Sequence, residues 1–397
     1  MNDSESPAIQ ISPALERIRQ TSKRPTGVEP PPGTINLSMG EPDFAAPAPV
    51  VEVLHQALLD GHTHYGDLNG DPELRSLVAA KATQSREAAE ASAGFASTGP
   101  VTAAQVSIGH GATGVLAAAI VALVGPGDRV VLPEPTYSLY SDLVEMVGGD
   151  VVWVPLDADM RLDVAAALDA ARGARMLILC NPGNPTGAVF PASALAALGE
   201  GLAGTDTLVV SDEAYGAFTF GTSFTSALAV PQLTERLILV DTLSKTYALT
   251  GFRLGWSIAP EPVAQAISQV GRTIAGAPNA AVQRAGIAAL TGGAALYGEM
   301  QRVYAERREV VVQELSAVPG VSFAPPEGAF YAFFRHGLDM SSADVRAALA
   351  ERGVLLRAGS EYGPSGEGYL RMSFAASEDD IRTGIRRIAQ GLADLRG

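Results

Sequence analysis

The sequence predicts an α/β protein. Its large domain would hold a mostly parallel sheet covered by helices on both faces, joined to a smaller α+β domain. Three observations carry this. From Gln105 onward, short runs rich in Val, Ile and Leu alternate with helical segments, the pattern of parallel βαβ units in one sheet. Most of these runs are uninterrupted, as strands covered on both faces are. After about Asn279 the pattern changes to a long helix, strand-like segments and two further helices.

Taken in order, residues 1–35 are Pro-rich and polar and read as an arm rather than a domain. INLSMGEPDF follows as a short strand ending in a turn, then an amphipathic helix over 47–60 and another from Pro72 to Lys81. Arg86 to Ala104, built of Ala, Ser, Gly and Thr, reads as a solvated loop. The expected strands are Val106–Ile108, Arg129–Leu132, Val151–Pro155, Met176–Cys180, Leu208–Ser211, Leu237–Val240 and Leu254–Ala259. In such sheets ligands bind beyond the carboxyl ends of the strands. The second domain would comprise a helix after Asn279, the strand-like FAPPEGAFYAFF, a helix over Ser341–Arg352, the strand YLRMSFA and a closing helix from Glu378. The expected division is 1–44 as arm and part of the small domain, 45–278 as large domain and 279–397 as small domain.

Composition narrows the function. Hydrophobic residues are 47 % and charged ones 18 % of 397, which suits a large globular enzyme. A net charge of −15 argues against nucleic acid and anionic membranes as partners. The start, MNDSESPAIQ, lacks a basic segment and an apolar run. The longest apolar stretch, Val115 to Val124, is too short for a membrane span. The lone Cys180 allows no intrachain disulfide, and the expected compartment is the cytoplasm. Among the histidines only His62 and His64 lie close together, without acidic or cysteine partners at ligand spacing, so no metal is expected. Lysine occurs only as Lys23, Lys81 and Lys245. A lysine kept in an arginine-rich chain suggests amine chemistry, which arginine cannot perform.

Four segments carry chemistry. In LSKTYALTGFRLGW, residues 243–256, a strand delivers Ser244 and Lys245 to its carboxyl edge and Arg253 follows before the next strand. A hydroxyl and a guanidinium flanking an amine make a phosphate grip beside a nucleophile; alone, the lysine reads more readily as a surface residue in a loop. In VVSDEAY, Asp212 ends a buried strand, where a carboxylate needs a partner such as a cationic ring nitrogen, and Tyr215 could aim at the same ring. A helix N-cap by Ser211 or Asp212 is the plainer alternative. NPGNPTG, residues 181–187, has two Asn-Pro steps that make a rigid turn presenting Asn184. SIGHGATG, residues 107–114, is a strand, a Gly-rich turn and a helix start whose N–H groups can cup an anion. Tyr137, in PEPTY, could stack on a flat ring or serve the core.

Together these motifs resemble the class I/II aminotransferases of the aspartate aminotransferase fold (fold type I), from about Asn36 to the C-terminal helix and in that family's order. The resemblance implies pyridoxal 5'-phosphate as cofactor, with Lys245 as the Schiff-base lysine and proton shuttle. Asp212 would pair with the pyridine nitrogen, Asn184 and Tyr215 with the ring hydroxyl, and Tyr137 would stack on the ring. Ser244, Arg253 and the Gly109–His110–Gly111 turn would hold the phosphate. Tyr65, in HYGDLNGDPELR, would reach the neighbouring subunit's phosphate, implying a homodimer with shared sites. Arg371, in YLRMSFA, would clamp the substrate α-carboxylate beside Gly40, in GEPDF. Arg272 lies near the region where dicarboxylate-specific members use a partner's arginine, but its register is off and it is not assigned.

The expected function is amino-group transfer between an L-amino acid and a 2-oxo acid. The ring-binding motifs admit an alternative of the same fold, namely elimination or replacement, decarboxylation or carbon–carbon bond formation, because substrate geometry decides which Cα bond breaks. A transcription regulator's effector-binding half would need a DNA-binding module ahead of Gly40, where too few residues stand, and a different charge.

Overall fold

A computed structural model of the protein describes residues 11–21 and 31–397. The remainder of the expected arm, Lys23 included, lies outside the described residues. Part of that arm is helical: α1 (Pro13–Thr21) lies against the large domain, where Arg17 Nε donates to the Glu145 carbonyl at 2.8 Å. Strand β1 (Ile35–Asn36) pairs in parallel with Val354–Leu355 and so ties the segment before Gly40 to the C-terminal region.

The chain then builds α2 (Ala48–Leu59) and α3 (Pro72–Ala93) before entering the main sheet. Helix α3 runs well past Lys81 and takes in the first part of the segment expected to be a solvated loop. Alanine and glutamate favour helix strongly, and the segment is anchored: Arg86 and Glu90 are both buried, and Glu90 accepts from the backbone N–H and hydroxyl of Thr98. Asp71 caps the start by accepting from the Glu73 and Leu74 N–H groups, and Gly94 ends the helix in a left-handed conformation.

The sheet and its helices follow in order. These are β2 (Val106–His110), α4 (Gly111–Leu123), β3 (Arg129–Glu134), α5 (Leu139–Val147), β4 (Asp150–Pro155), α6 (Val164–Ala170), β5 (Met176–Cys180), α7 (Ala192–Gly201), β6 (Leu208–Asp212), β7 (Leu237–Thr242), the short α8 (Leu243–Thr246), β8 (Leu254–Ile258) and α9 (Glu261–Ala275). Spatial order is β2-β8-β7-β6-β5-β3-β4. All neighbours run parallel except β8, which is antiparallel to both β7 and β2. Alternate residues face opposite layers. Leu177, Leu179, Val209 and Leu239 enter a core shared with α3 and α7. Ile178, Val210, Ile238 and Val240 enter another with α4 and α5. This two-sided burial explains the uninterrupted apolar runs.

The helix expected after Asn279 is two helices, α10 (Ala280–Gly292) and α11 (Gly298–Ser316), separated where Gly292 and Gly293 meet. They belong to different bodies. In α10, Ala285, Ala289 and Leu290 join the large-domain core with Leu74 and Val78, so that core extends past residue 278. In α11, Tyr304, Val311 and Leu315 join a separate core. This second body contains β9 (Ser322–Phe323), β10 (Tyr331–Arg335), α12 (Ser342–Glu351), β11 (Val354–Leu355), β12 (Arg357–Ala358), β13 (Tyr369–Ser373) and α13 (Glu378–Arg396). Its antiparallel sheet has the order β12-β13-β10-β9. Pro325 and Pro326 lie between β9 and β10, so FAPPEGAFYAFF is two strands rather than one.

Candidate active site

The carboxyl ends of β5, β6 and β7 deliver Asn184, Asp212 and Lys245 to one cavity of about 400 Å³. Residues of the second body close it from the opposite side: Gly40, Tyr331, Arg357, Tyr362 and Arg371 line it together with Tyr137, Ser244 and Arg253. The reversed strand β8 matters here, because its beginning lies at the edge where β7 ends. Arg253, just before β8, therefore stands beside Lys245 and Ser244. Its left-handed backbone, φ 52°, is unusual for a residue with a side chain. Its Nη1 donates to the Thr250 carbonyl at 2.9 Å.

Lys245 Nζ donates to the carbonyl of Gly40. Burial lowers its pKa from 10.5 to about 8; the Arg371 and Arg253 charges also lower it, against opposing effects of Glu41 and Asp212. Gly40 itself is dictated by sterics, since a Cβ there would run into the Tyr331 hydroxyl.

Asp212 is buried, and burial raises its pKa, opposed by a hydrogen bond from Tyr140, one from the Ala214 N–H, and the Lys245 charge. Tyr140 donates to Asp212 Oδ2 at 2.8 Å and Ala214 N to Oδ1 at 3.2 Å. Beside them, burial pushes the Cys180 thiol up to about 12, leaving it neutral. Asp212 thus accepts from two uncharged donors, Tyr140 and the Ala214 N–H.

Arg371 is buried and braced on three sides. Nη1 donates to Asn184 Oδ1 at 3.0 Å, Nη2 to the Ser38 carbonyl at 2.5 Å, and the guanidinium lies 4.4 Å from the Tyr331 ring centre and 5.1 Å from that of Tyr362. Its buried Nε has no hydrogen-bond partner among the described residues. Such a guanidinium suits a carboxylate entering the cavity.

The structure therefore brings together Lys245, Asp212, Tyr215, Asn184, Tyr137, Ser244, Arg253, Arg371 and Gly40. It places the others differently. Gly109 and His110 lie along a separate cavity with Leu68 and Arg272, while Ala112 and Thr113 line the central one. The reason is that β2 runs through His110 and helix α4 begins at Gly111, so the first helical turn presents itself one to three residues later. Gly111 still touches the site's wall: its φ is 72°, and a Cβ there would come within 2.8 Å of Arg253 Nη2. Tyr65 is 94 % exposed and stands outside the cavity. Arg272 Nη1 donates to Asn69 Oδ1 at 3.2 Å. The Tyr215 hydroxyl lies 2.8 Å from that of Tyr331.

Sequence reading missed Tyr140, Tyr331, Arg357 and Tyr362. Tyr140 had a signal, three residues after Tyr137 at the start of a helix. Tyr331 had none, being one aromatic in an apolar run.

Comparison with known proteins agrees with this geometry. The family model for aminotransferase class I and II matches residues 32–388. An arginine–pyruvate transaminase of Pseudomonas aeruginosa is 31 % identical, over 91 % of this chain and 90 % of that protein. An aspartate aminotransferase of Streptomyces avermitilis is 30 % identical, with the same coverage of each. Among solved structures, an aromatic aminotransferase from Pyrococcus horikoshii superposes with a TM-score of 0.86 at 29 % identity, covering 96 % of this chain and 99 % of that one. An aspartate aminotransferase from Thermotoga maritima does so with a TM-score of 0.82 at 30 % identity, over 91 % and 92 %. This chain is a member of the class I and II aminotransferases.

Proposed function

We propose that the cavity binds pyridoxal 5'-phosphate, that Lys245 is the amine that bonds it, and that the enzyme moves an amino group from an L-amino acid to a 2-oxo acid. The observation that carries this reading is one cavity holding a lysine of lowered pKa, a buried carboxylate and a braced arginine on different walls. The residues fit the cofactor on their own chemistry. Asp212 is a buried acidic side chain whose hydrogen-bond donors among the described residues, Tyr140 and the Ala214 N–H, are neutral, which suits it to a cationic ring nitrogen. Arg253, Ser244 and the first turn of α4 at Ala112 and Thr113 form an anion-binding end. Tyr137 lines the wall between, where a flat ring can lie against it.

When bound, the cofactor supplies an aldehyde for amines and a cationic ring that draws electrons from the bonds at the substrate Cα. The chain does the rest. Arg371 grips the α-carboxylate, and Asn184 fixes the guanidinium by accepting from Nη1. That grip aims the Cα–H at Lys245. Lys245 Nζ, neutral in an appreciable fraction near pH 7 because of its lowered pKa, would take the Cα proton and hold it on Nζ for return across the substrate nitrogen. Asp212 holds the ring charge that makes this proton removable.

A homodimer with shared sites is part of the proposal. Its support is the exposure of Tyr65 together with the exposed apolar residues Leu58, Leu59, Leu68 and Ile274.

The test is the visible absorption spectrum of the protein with pyridoxal phosphate, wild type beside Lys245→Ala, followed by amino acids added without any 2-oxo acid. A Lys245-dependent band, lost on adding one donor with stoichiometric release of its 2-oxo acid, is expected. Absence of that band overturns the proposal, and release of ammonia or carbon dioxide instead would assign a different reaction.

A further inference from the structure

The central cavity carries more positive charge than the roles above use. Lys245, Arg253, Arg357 and Arg371 line it, against a single lining carboxylate among the described residues, Asp212. Arg253 faces the phosphate end, Arg371 serves the α-carboxylate and Lys245 the chemistry. Arg357 is left over.

Its position is not incidental. Strand β12 pairs antiparallel with β13, and Arg357 is directly opposite Arg371. Opposed residues present their side chains on the same face, with Cβ atoms roughly 5 Å apart, and like charges in that relation are destabilising. The chain tolerates the pair because Glu361 lies behind it, with Oε2 2.8 Å from Arg357 Nη2. The Glu361 side chain is only 3 % exposed, while that of Arg357 is 26 % exposed and lines the cavity. Glu361 Oε1 accepts from the Ala358 N–H at 3.0 Å, which locks the carboxylate to the backbone of β12. A buried carboxylate anchored in this way orients a guanidinium toward the cavity without entering the cavity itself.

Resting on the proposed transamination at this site, we infer that Arg357 is a specificity-determining residue that binds a second acidic group on the substrate, with Glu361 as its positioning residue. The substrates it selects are short dicarboxylic amino acids and 2-oxo acids, whose two carboxylates can meet the neighbouring guanidiniums of Arg371 and Arg357. This arginine comes from the same chain as Lys245, so the selectivity needs no residue from a second copy.

The test uses the protein loaded with pyridoxal phosphate and two unreactive probes, succinate and butyrate, binding being followed by calorimetry for the wild type, Arg357→Gln and Arg357→Lys. The wild type is expected to bind succinate at least 10-fold more tightly than butyrate. Arg357→Gln should reduce that ratio about 10- to 100-fold, as loss of a charge-assisted hydrogen bond does. Arg357→Lys should restore part of it, since it keeps the charge without the planar fork. The same ratio measured as kcat/KM for aspartate over alanine should move in parallel. A wild type without preference for succinate, or an Arg357→Gln variant that weakens both probes equally, overturns the inference. The Lys245-dependent visible band recorded in the same samples keeps the two readings apart: its absence would refute the cofactor proposal, whereas its presence without dicarboxylate preference would refute only the role of Arg357.

Discussion

The lowered pKa of Lys245 can be tested without any cofactor. Burial in the cavity, with Arg371 and Arg253 nearby, holds this amine at about 8 instead of 10.5. At pH 7 an amine of pKa 8 is neutral in about one molecule in ten, and one of pKa 10.5 in about one in three thousand, so Lys245 should react with an electrophile about 300-fold faster than an ordinary lysine of equal access. The chain makes the measurement simple because it contains only three lysines. Brief acetylation of the cofactor-free protein with acetic anhydride from pH 6 to 11, read by peptide mass spectrometry, reports the neutral fraction of Lys245 directly, with the Lys23 and Lys81 peptides monitoring the reagent. Labelling of Lys245 should rise about 10-fold per pH unit and level off above about 8. The sign can be checked independently. Glu41 favours the charged form, so Glu41→Gln should move the midpoint down, and the desolvating cavity should keep it there in high salt, where surface effects are screened. A midpoint near 10, or an upward shift in Glu41→Gln, would refute the argument that burial sets this pKa.

Two further predictions follow from the same buried groups. Tyr140→Phe removes the hydroxyl that donates to Asp212; loss of a hydrogen bond to a buried charge costs about 1.5–3 kcal/mol, so cofactor affinity and kcat should each fall at least several-fold, and unchanged values for both would show that Tyr140 does not support the carboxylate. Burial raises the Glu213 pKa from 4.5 to about 7, so the folded state binds a proton more tightly than the unfolded one, and the stability this contributes is present at pH 4 and lost as pH rises to 7. Glu213→Gln can still accept from Ser211 and Ala227 and should be more stable at pH 8 by up to about 3 kcal/mol, measured by urea denaturation; a destabilised variant at pH 8 would contradict this.

Much of the fold was legible because its signals are local and repeated. All seven expected strands of the main sheet form within a residue or two of their expected limits, since burial on both faces writes itself as runs such as MLILC and LVVSD. Site residues at strand ends were legible for the same reason: Asp212 and Lys245 stand where β6 and β7 stop. Failures occurred where tertiary contacts override composition. Helix α3 absorbs part of an Ala- and Ser-rich stretch because Glu90 ties it to Thr98. Helix α10 belongs with the large core because its small residues pack beside Leu74, which no local pattern reveals. The second arginine was hidden for a related reason, since nothing in VLLRAGSEY shows that Arg357 will stand opposite Arg371 until β12 and β13 pair.

The reversal of β8 within an otherwise parallel sheet has a consequence for where the chain can change length. Because β8 begins at the edge where β7 ends, Lys245 and Arg253 are set side by side by the β7–β8 ladder and joined by the short segment 246–252. An insertion there would displace Lys245 or Arg253 from the cavity wall that both line. The connection from α7 to β6 instead turns at the opposite edge of the sheet, away from the cavity, with exposed residues at 203–206. An affinity tag or a fluorescent module could be spliced into that turn with the chemistry intact, whereas even a single added residue between Thr246 and Phe252 should silence the enzyme while leaving it folded.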